Sequence, residues 1–128
     1  MAAMAHHVTF PAHERLIDEG TMARKFWLID AGQVVLDTMV SGKGLVTIEM
    51  VGRGELLGLS AFQPPYIWQY GALTTQPMQA FEFAAAEVRA ACLADPALGF
   101  ELLSRVLEVS LHRLQAVRSR LPGGRSVA

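Results

Sequence analysis

Glycines punctuate the first half of this chain, and apolar runs typical of β-strands lie between them. Four of them frame the pattern: Gly20, Gly32, Gly54 and Gly58. Glycine adopts a positive φ without a steric penalty, so it is expected where the backbone turns sharply between strands. This spacing predicts a β-roll or jelly roll.

The apolar runs predict seven strands and one helical turn. The strands are Val8–Phe10, Arg15–Ile17, Lys25–Ile29, Gln33–Val40, Leu45–Val51, Tyr70–Thr75 and Met78–Phe83. In the fifth run, Val46, Ile48 and Met50 share one face and alternate with polar residues, as in a half-buried strand. The segment 59–62 has room for a short helix, which Pro64 and Pro65 end. We therefore expect a mainly β protein with a roll of about eight strands.

After the last strand the periodicity changes from two residues to about 3.6. The segment 84–93 is rich in Ala, Glu and Arg, which favour helices. Asp95 followed by Pro96 predicts the N-cap and first residue of a second helix. That helix extends to Leu121, since Pro122-Gly123-Gly124 ends it. Two C-terminal helices should follow the β-roll.

The second helix carries two neighbouring apolar stripes. One contains Phe100, Leu103, Leu107, Leu111, Leu114, Val117 and Leu121, and the other contains Leu98, Leu102, Val106 and Val109. One stripe suffices to pack a helix on its own domain, so this wide band predicts a second partner. We expect a homodimer through the helix 96–121. The alternative is a helix lying deep in a groove of its own domain.

Composition limits the class of protein. The 128 residues correspond to one domain with a single core. No apolar run reaches the ~20 residues that span a membrane, and the start of the chain lacks the pattern of a signal peptide. The single cysteine, Cys92, cannot form an internal disulfide, which favours a cytoplasmic protein. The net charge of −1 gives no basic field for nucleic acid.

The glycine spacing, followed by a long helix, resembles the cyclic-nucleotide-binding domain of the catabolite-activator/Fnr superfamily. The resemblance covers roughly Val8 to Leu121. It implies an N-terminal segment at 1–7, a domain at 8–121 (β-roll 8–83, helices 84–121) and a tail at 122–128. It also implies a non-enzymatic, ligand-sensing regulatory module that signals through its C-terminal helix. A DNA-binding helix-turn-helix would need residues beyond the end of the chain, so no direct DNA binding is expected.

In the family, the cassette that binds the phosphate resembles Gly-Glu-x-Ala/Gly-Leu, a loop, and then Arg-Ser/Thr-Ala. The Glu binds the ribose hydroxyl and the Arg pairs with the cyclic phosphate. Here Leu59 stands in place of the Glu and Tyr70 in place of the Arg. A charge-assisted hydrogen bond contributes about 1.5–3 kcal/mol, so we expect weak or no binding of cyclic AMP. The resemblance places the ligand-binding residues at Gly58, Leu59, Ser60, Ala61, Trp68, Tyr70, Gly71 and Ala72.

Three aromatic residues and two prolines occupy the cassette loop: Pro64, Pro65, Tyr66, Trp68 and Tyr70. One interpretation is a rebuilt pocket for a flatter, less charged effector, because aromatic rings stack well. In an extended loop, the rings of Tyr66 and Trp68 would point the same way. The alternative is a ligand-free dimerisation or scaffold protein whose pocket Trp68 and Tyr70 fill. The sequence leaves open whether the effector is a cyclic nucleotide or another small molecule. It also leaves open the identity of any protein partner.

Other chemistry has little support in the sequence. The four histidines, His6, His7, His13 and His112, lack the ligand spacing of a cupin metal site. No nucleophile-elbow motif is present, so hydrolase chemistry is not predicted. Cys92 lies among alanines and a leucine, where a small buried apolar residue is expected. We therefore predict no metal site, no catalytic residue and no enzymatic activity.

Overall fold

A computed structural model describes the protein from residue 4 to residue 120. In the last helix the side chains described are those of 96–105, 107, 108 and 111. The elements are β1 (His6–Phe10), β2 (Arg15–Ile17), β3 (Lys25–Ala31), β4 (Gln33–Val40), β5 (Gly44–Gly52), β6 (Leu56–Leu57), a 3-10 helix (Leu59–Phe62, the cassette helix), β7 (Gly71–Thr74), β8 (Met78–Ala84), α1 (Ala85–Ala94) and α2 (Pro96–Arg120). The predicted tail and the predicted helix end at Leu121 lie outside the described residues.

The strands form two antiparallel four-stranded sheets. One has the order β1-β8-β3-β6 and the other the order β2-β7-β4-β5. In the described part of the chain this gives eight strands followed by two helices, which confirms the mainly β prediction. The sequence did not reveal β6, because a strand of two residues between Gly54 and Gly58 is too short to show alternation.

The core lies between the two sheets and also holds the cassette helix. The ring of Phe26 on β3 stacks on Phe83 of β8, with centroids 4.9 Å apart. Its other neighbour is Phe62 at the end of the cassette helix, at 4.6 Å. Ala61 of the same helix is fully buried. Aromatic packing therefore ties the cassette helix to the centre of the roll.

The apolar face of β5 points outward. Val46, Ile48 and Met50 are 36, 40 and 47% exposed, whereas Glu49 is 8% and Val51 0% exposed. Residues 44–48 are all exposed, so the alternation in burial is present only from Ile48 to Val51, with Glu49 and Val51 facing the interior. A period of two says only that the two faces differ, and the opposing sheet decides which face is covered.

The two helices begin close to the predicted positions. Ala84 is the last residue of β8, so α1 starts at Ala85, one residue later than predicted. Oδ1 of Asp95 accepts hydrogen bonds from the backbone N–H groups of Ala97 (3.2 Å) and Leu98 (3.3 Å). Asp95 is therefore the N-cap of α2, as the Asp-Pro pair indicated.

Only part of the apolar surface of α2 packs on its own domain. Leu102, from the second predicted stripe, is buried. Phe100, Leu103, Leu107 and Leu111, from the first stripe, are 50–74% exposed. Among the side chains described in α2, the first stripe thus stays uncovered within one protomer.

Candidate functional site

The cassette helix is positioned by the glycine before it. Gly58 has a φ of 111°, which residues with a side chain rarely adopt. A Cβ atom built there would lie 2.9 Å from Cβ of Phe26 and 3.1 Å from Cη2 of Trp68. The carbonyl of Gly58 accepts a hydrogen bond from the N–H of Ala61 at 3.1 Å, which closes the helical turn. Only glycine meets both requirements at this corner.

The loop after the cassette helix is held by backbone hydrogen bonds to the segment 20–23. The N–H of Trp68 donates to the carbonyl of Thr21 (2.9 Å), and the N–H of Gly20 donates to the carbonyl of Trp68 (2.9 Å). The N–H of Ala23 donates to the carbonyl of Tyr66 (2.7 Å). The loop is therefore anchored along its length rather than being a free lid.

The aromatic residues of this loop point to different parts of the molecule. Trp68 is buried, and its ring lies 6.3 Å from that of Trp27 and 6.2 Å from that of Tyr70. Tyr66 instead lies under the guanidinium of Arg89 on α1, at 4.1 Å from the ring centroid. Tyr66 has a φ of 59°, which breaks the extended run. The shared direction expected for an extended loop is therefore not found.

The end of the predicted site, at Gly71 and Ala72, lies on β7 beside an ion pair. The guanidinium of Arg15 donates two hydrogen bonds to the carboxylate of Asp37, at 3.0 and 2.9 Å. A Cβ on Gly71 would lie 2.5 Å from both side chains, so glycine makes room for the pair. Ala72 is fully buried in the core. No local pattern in the sequence indicated this pair, because its members lie on separate strands.

The charge state of Arg15 follows from its partner. The hydrogen bond to Asp37 raises the pKa of the Arg15 guanidinium above its ordinary value. Arg15 therefore stays cationic at neutral pH, and its charge is balanced by a carboxylate that is only 8% exposed. Asp37 therefore holds this guanidinium in a bidentate ion pair.

Two of the predicted residues line a cavity at the cassette, which we call the cassette cavity. Its volume is about 320 Å³, within the size range of small-molecule sites. It is lined by Leu59, Ser60, Gln63, Pro64, Pro65, Ile67 and Gln69. None of these side chains is ionisable, so the cavity offers hydroxyl and amide groups among apolar walls.

The remaining predicted residues lie apart from this cavity. Trp68 lines a separate cavity of about 350 Å³ together with Trp27 and Arg15. Gly58 packs against Phe26, and Ala61 is part of the core. The structure therefore brings Leu59 and Ser60 together at one surface and distributes the others behind it.

The structure contains two four-stranded sheets, a cassette helix that follows a glycine of positive φ, and two C-terminal helices. This is the architecture of a cyclic nucleotide-binding β-roll. The family model of the cyclic nucleotide-binding domain matches residues 7–95. The chain belongs to the cyclic nucleotide-binding domain family. Within the described residues, no helix is both long and apolar enough to cross a membrane.

Solved structures show the same fold. A Geobacter metallireducens protein, described provisionally as cyclic nucleotide-binding, is 26% identical, with a TM-score of 0.77 over 88% of this chain and 81% of its own. A cyclic nucleotide-binding domain from Methylobacillus flagellatus is 20% identical, with a TM-score of 0.86 over 98% and 71%. The catabolite activator protein of Thermus thermophilus is 18% identical, with a TM-score of 0.69 over 90% and 55%. A comparison with curated proteins gives no match.

Proposed function

We propose that this chain is a non-enzymatic, cytoplasmic ligand-sensing module with altered ligand specificity, which signals through α2. The observation that carries the proposal is the uncharged cassette cavity at Leu59 and Ser60. Where the family pattern has a carboxylate, this cavity has Leu59, and Tyr70, in place of the arginine, does not line the cavity. A charged phosphate loses hydration on entering such a site without gaining an ion pair, so an uncharged effector is favoured.

A physical connection from the cassette to α2 supports the signalling part of the proposal. Nη1 of Arg89 on α1 donates a hydrogen bond to the carbonyl of Ala61 in the cassette helix, at 2.7 Å. At the far end of α1, Gly99 of α2 approaches Cys92 so closely that a Cβ on Gly99 would lie 3.2 Å from the Cys92 carbonyl oxygen. A displacement of the cassette helix would therefore be transmitted through α1 to α2.

The ligand preference is testable with adenosine and cyclic AMP, which share a nucleoside and differ in charge. We expect calorimetry to give no submicromolar dissociation constant for cyclic AMP. We also expect a thermal-shift screen of uncharged aromatic metabolites, adenosine included, to find a stabilising ligand. At 100 times its Kd, such a ligand stabilises the fold by about 2.7 kcal/mol. A submicromolar dissociation constant for cyclic AMP would contradict the altered specificity.

A bulky substitution tests whether the ligand uses the cassette cavity. Ser60→Trp fills the cavity, so the thermal shift of any ligand found should disappear. Ser41→Trp, in the exposed hairpin between β4 and β5, is the matched control and should leave the shift unchanged. A shift that survives Ser60→Trp would place the ligand elsewhere.

The alternative function, a ligand-free dimerisation or scaffold protein, is favoured by one observation. Trp68 is only 5% exposed and packs against Trp27 and Tyr70, so side chains fill the interior behind the cassette. Under this alternative the whole screen gives no shift, and Ser60→Trp leaves the melting temperature and the oligomeric state unchanged.

A further inference from the structure

A third cavity lies between the cassette and the two C-terminal helices, and we call it the helix crevice. Its volume is about 350 Å³. Apolar side chains of the cassette helix and of both α-helices form its walls, among them Phe62, Val88 and Leu102. It shares no lining residue with the cassette cavity. A site here would therefore be independent of the ligand that we propose for the cassette.

The helix crevice contains one charged side chain, that of Arg89. No other Arg, Lys, Asp or Glu lines the crevice, and Tyr66 and Cys92 add a hydroxyl and a thiol to its apolar walls. The guanidinium is held in place because Nη1 bonds to the carbonyl of Ala61 at 2.7 Å and the ring of Tyr66 lies 4.1 Å away. An arginine carries five N–H donors, and among the described residues Arg89 makes this one hydrogen bond.

An apolar cavity with one fixed cation defines the chemistry of its occupant. We infer that the helix crevice binds a small organic acid whose aromatic or aliphatic body packs against Val88 and Leu102 and whose carboxylate pairs with Arg89. Burial of the apolar body drives association, and the charge-assisted hydrogen bond selects the anion. The volume corresponds to about a dozen water molecules, which fits a bicyclic aromatic acid.

The crevice contains a built-in reporter. Cys92 is the single cysteine of the chain, lines the crevice and is partly exposed. Its rate of alkylation by iodoacetamide, a small neutral reagent, measures access to the crevice. Alkylation is followed by mass spectrometry on the full chain, with 2-naphthoate as the acidic probe and 2-naphthamide as its uncharged analogue.

We expect 2-naphthoate to protect Cys92 at concentrations about tenfold lower than 2-naphthamide, the contribution of one charge-assisted hydrogen bond. In Arg89→Gln this difference should vanish. Arg24→Gln removes an exposed arginine that does not line the crevice, so the difference should persist there. Equal protection by the two probes in the natural protein, or no protection by either, overturns the proposal, as does a difference that survives Arg89→Gln.

A second pair of variants keeps the test decisive if Arg89→Gln does not fold. Leu93 lies at the rim of the crevice and is 86% exposed, so Leu93→Glu and Leu93→Lys should both fold. The same apolar contact is lost in each, and only the added charge differs. The half-protecting concentration of 2-naphthoate should be higher in Leu93→Glu than in Leu93→Lys, and equal values would overturn the proposal. Ser60→Trp should leave the protection of Cys92 by 2-naphthoate unchanged, which distinguishes this site from the cassette cavity.

Discussion

Gly58 and Gly20 both have a positive φ, of 111° and 90°, but their surroundings differ. A Cβ at Gly58 would overlap Phe26 and Trp68, whereas a Cβ at Gly20 would meet no atom within 4 Å. Alanine at Gly20 therefore adds only backbone strain, of about 1–2 kcal/mol. Alanine at Gly58 adds the same strain and an overlap with the core, which is worth about 1–3 kcal/mol more.

We predict that Gly58→Ala lowers the free energy of unfolding by about 2–5 kcal/mol, and that Gly20→Ala lowers it by about 1–2 kcal/mol. Urea unfolding followed by circular dichroism measures both values. Equal losses for the two variants would mean that the cassette helix can move away from Phe26, and that Gly58 does not fix its position.

At the scale of one element, the cassette loop is anchored rather than mobile. Its backbone bonds to the segment 20–23, and Trp68 is 5% exposed against the ring of Trp27. Two consecutive prolines further restrict its conformations. A wall of this kind should keep its tryptophan away from water.

We predict that in Trp27→Phe, where Trp68 is the single tryptophan, fluorescence is blue-shifted relative to the urea-unfolded protein and resists quenching by iodide. Trp68→Phe, which retains the equally buried Trp27, is the control for any loss of structure. Red-shifted emission that iodide quenches freely in Trp27→Phe, with an unchanged circular dichroism spectrum, would show an exposed loop.

At the scale of the whole molecule, we propose that the uncovered stripe on α2 contacts a partner. Phe100, Leu103, Leu107 and Leu111 recur at steps of three and four, and each is at least half exposed in one protomer. An exposed apolar band of this length on a terminal helix is typical of an interface. A second copy of the chain presents the same band, so we propose an isologous homodimer in which the two bands cover each other.

We predict that Leu107→Glu converts a dimer of 13.9-kDa protomers to monomer in sedimentation, because two carboxylates would enter the interface. Burial of these groups weakens association by about 3 kcal/mol or more, roughly a hundredfold in dissociation constant. Leu93→Glu, on the exposed surface of α1, should leave the mass unchanged. If Leu107→Glu sediments like the natural protein, the stripe is not the dimer contact.

The local features of this protein could be predicted from its sequence. Features that depend on residues close in the chain were predictable to within a residue or two. They are the turn at Gly58, the N-cap at Asp95 and the change of period near Ala84. Seven of the eight strands and the cassette helix followed from the same kind of local signal. β6 was missed because two residues carry no periodicity.

The features that join distant residues could not be predicted in this way, because they depend on long-range packing. Arg15 and Asp37 are 22 positions apart, and strand pairing alone brings them together beside Gly71. The outward direction of the apolar face of β5, and the division of the predicted site between two cavities, depend on which surfaces the sheets cover. In the sequence Arg89 belongs to an ordinary helical pattern, and packing of α1 on the roll places it beside the cassette helix. Periodicity fixes which residues share a face, whereas long-range packing selects what that face contacts.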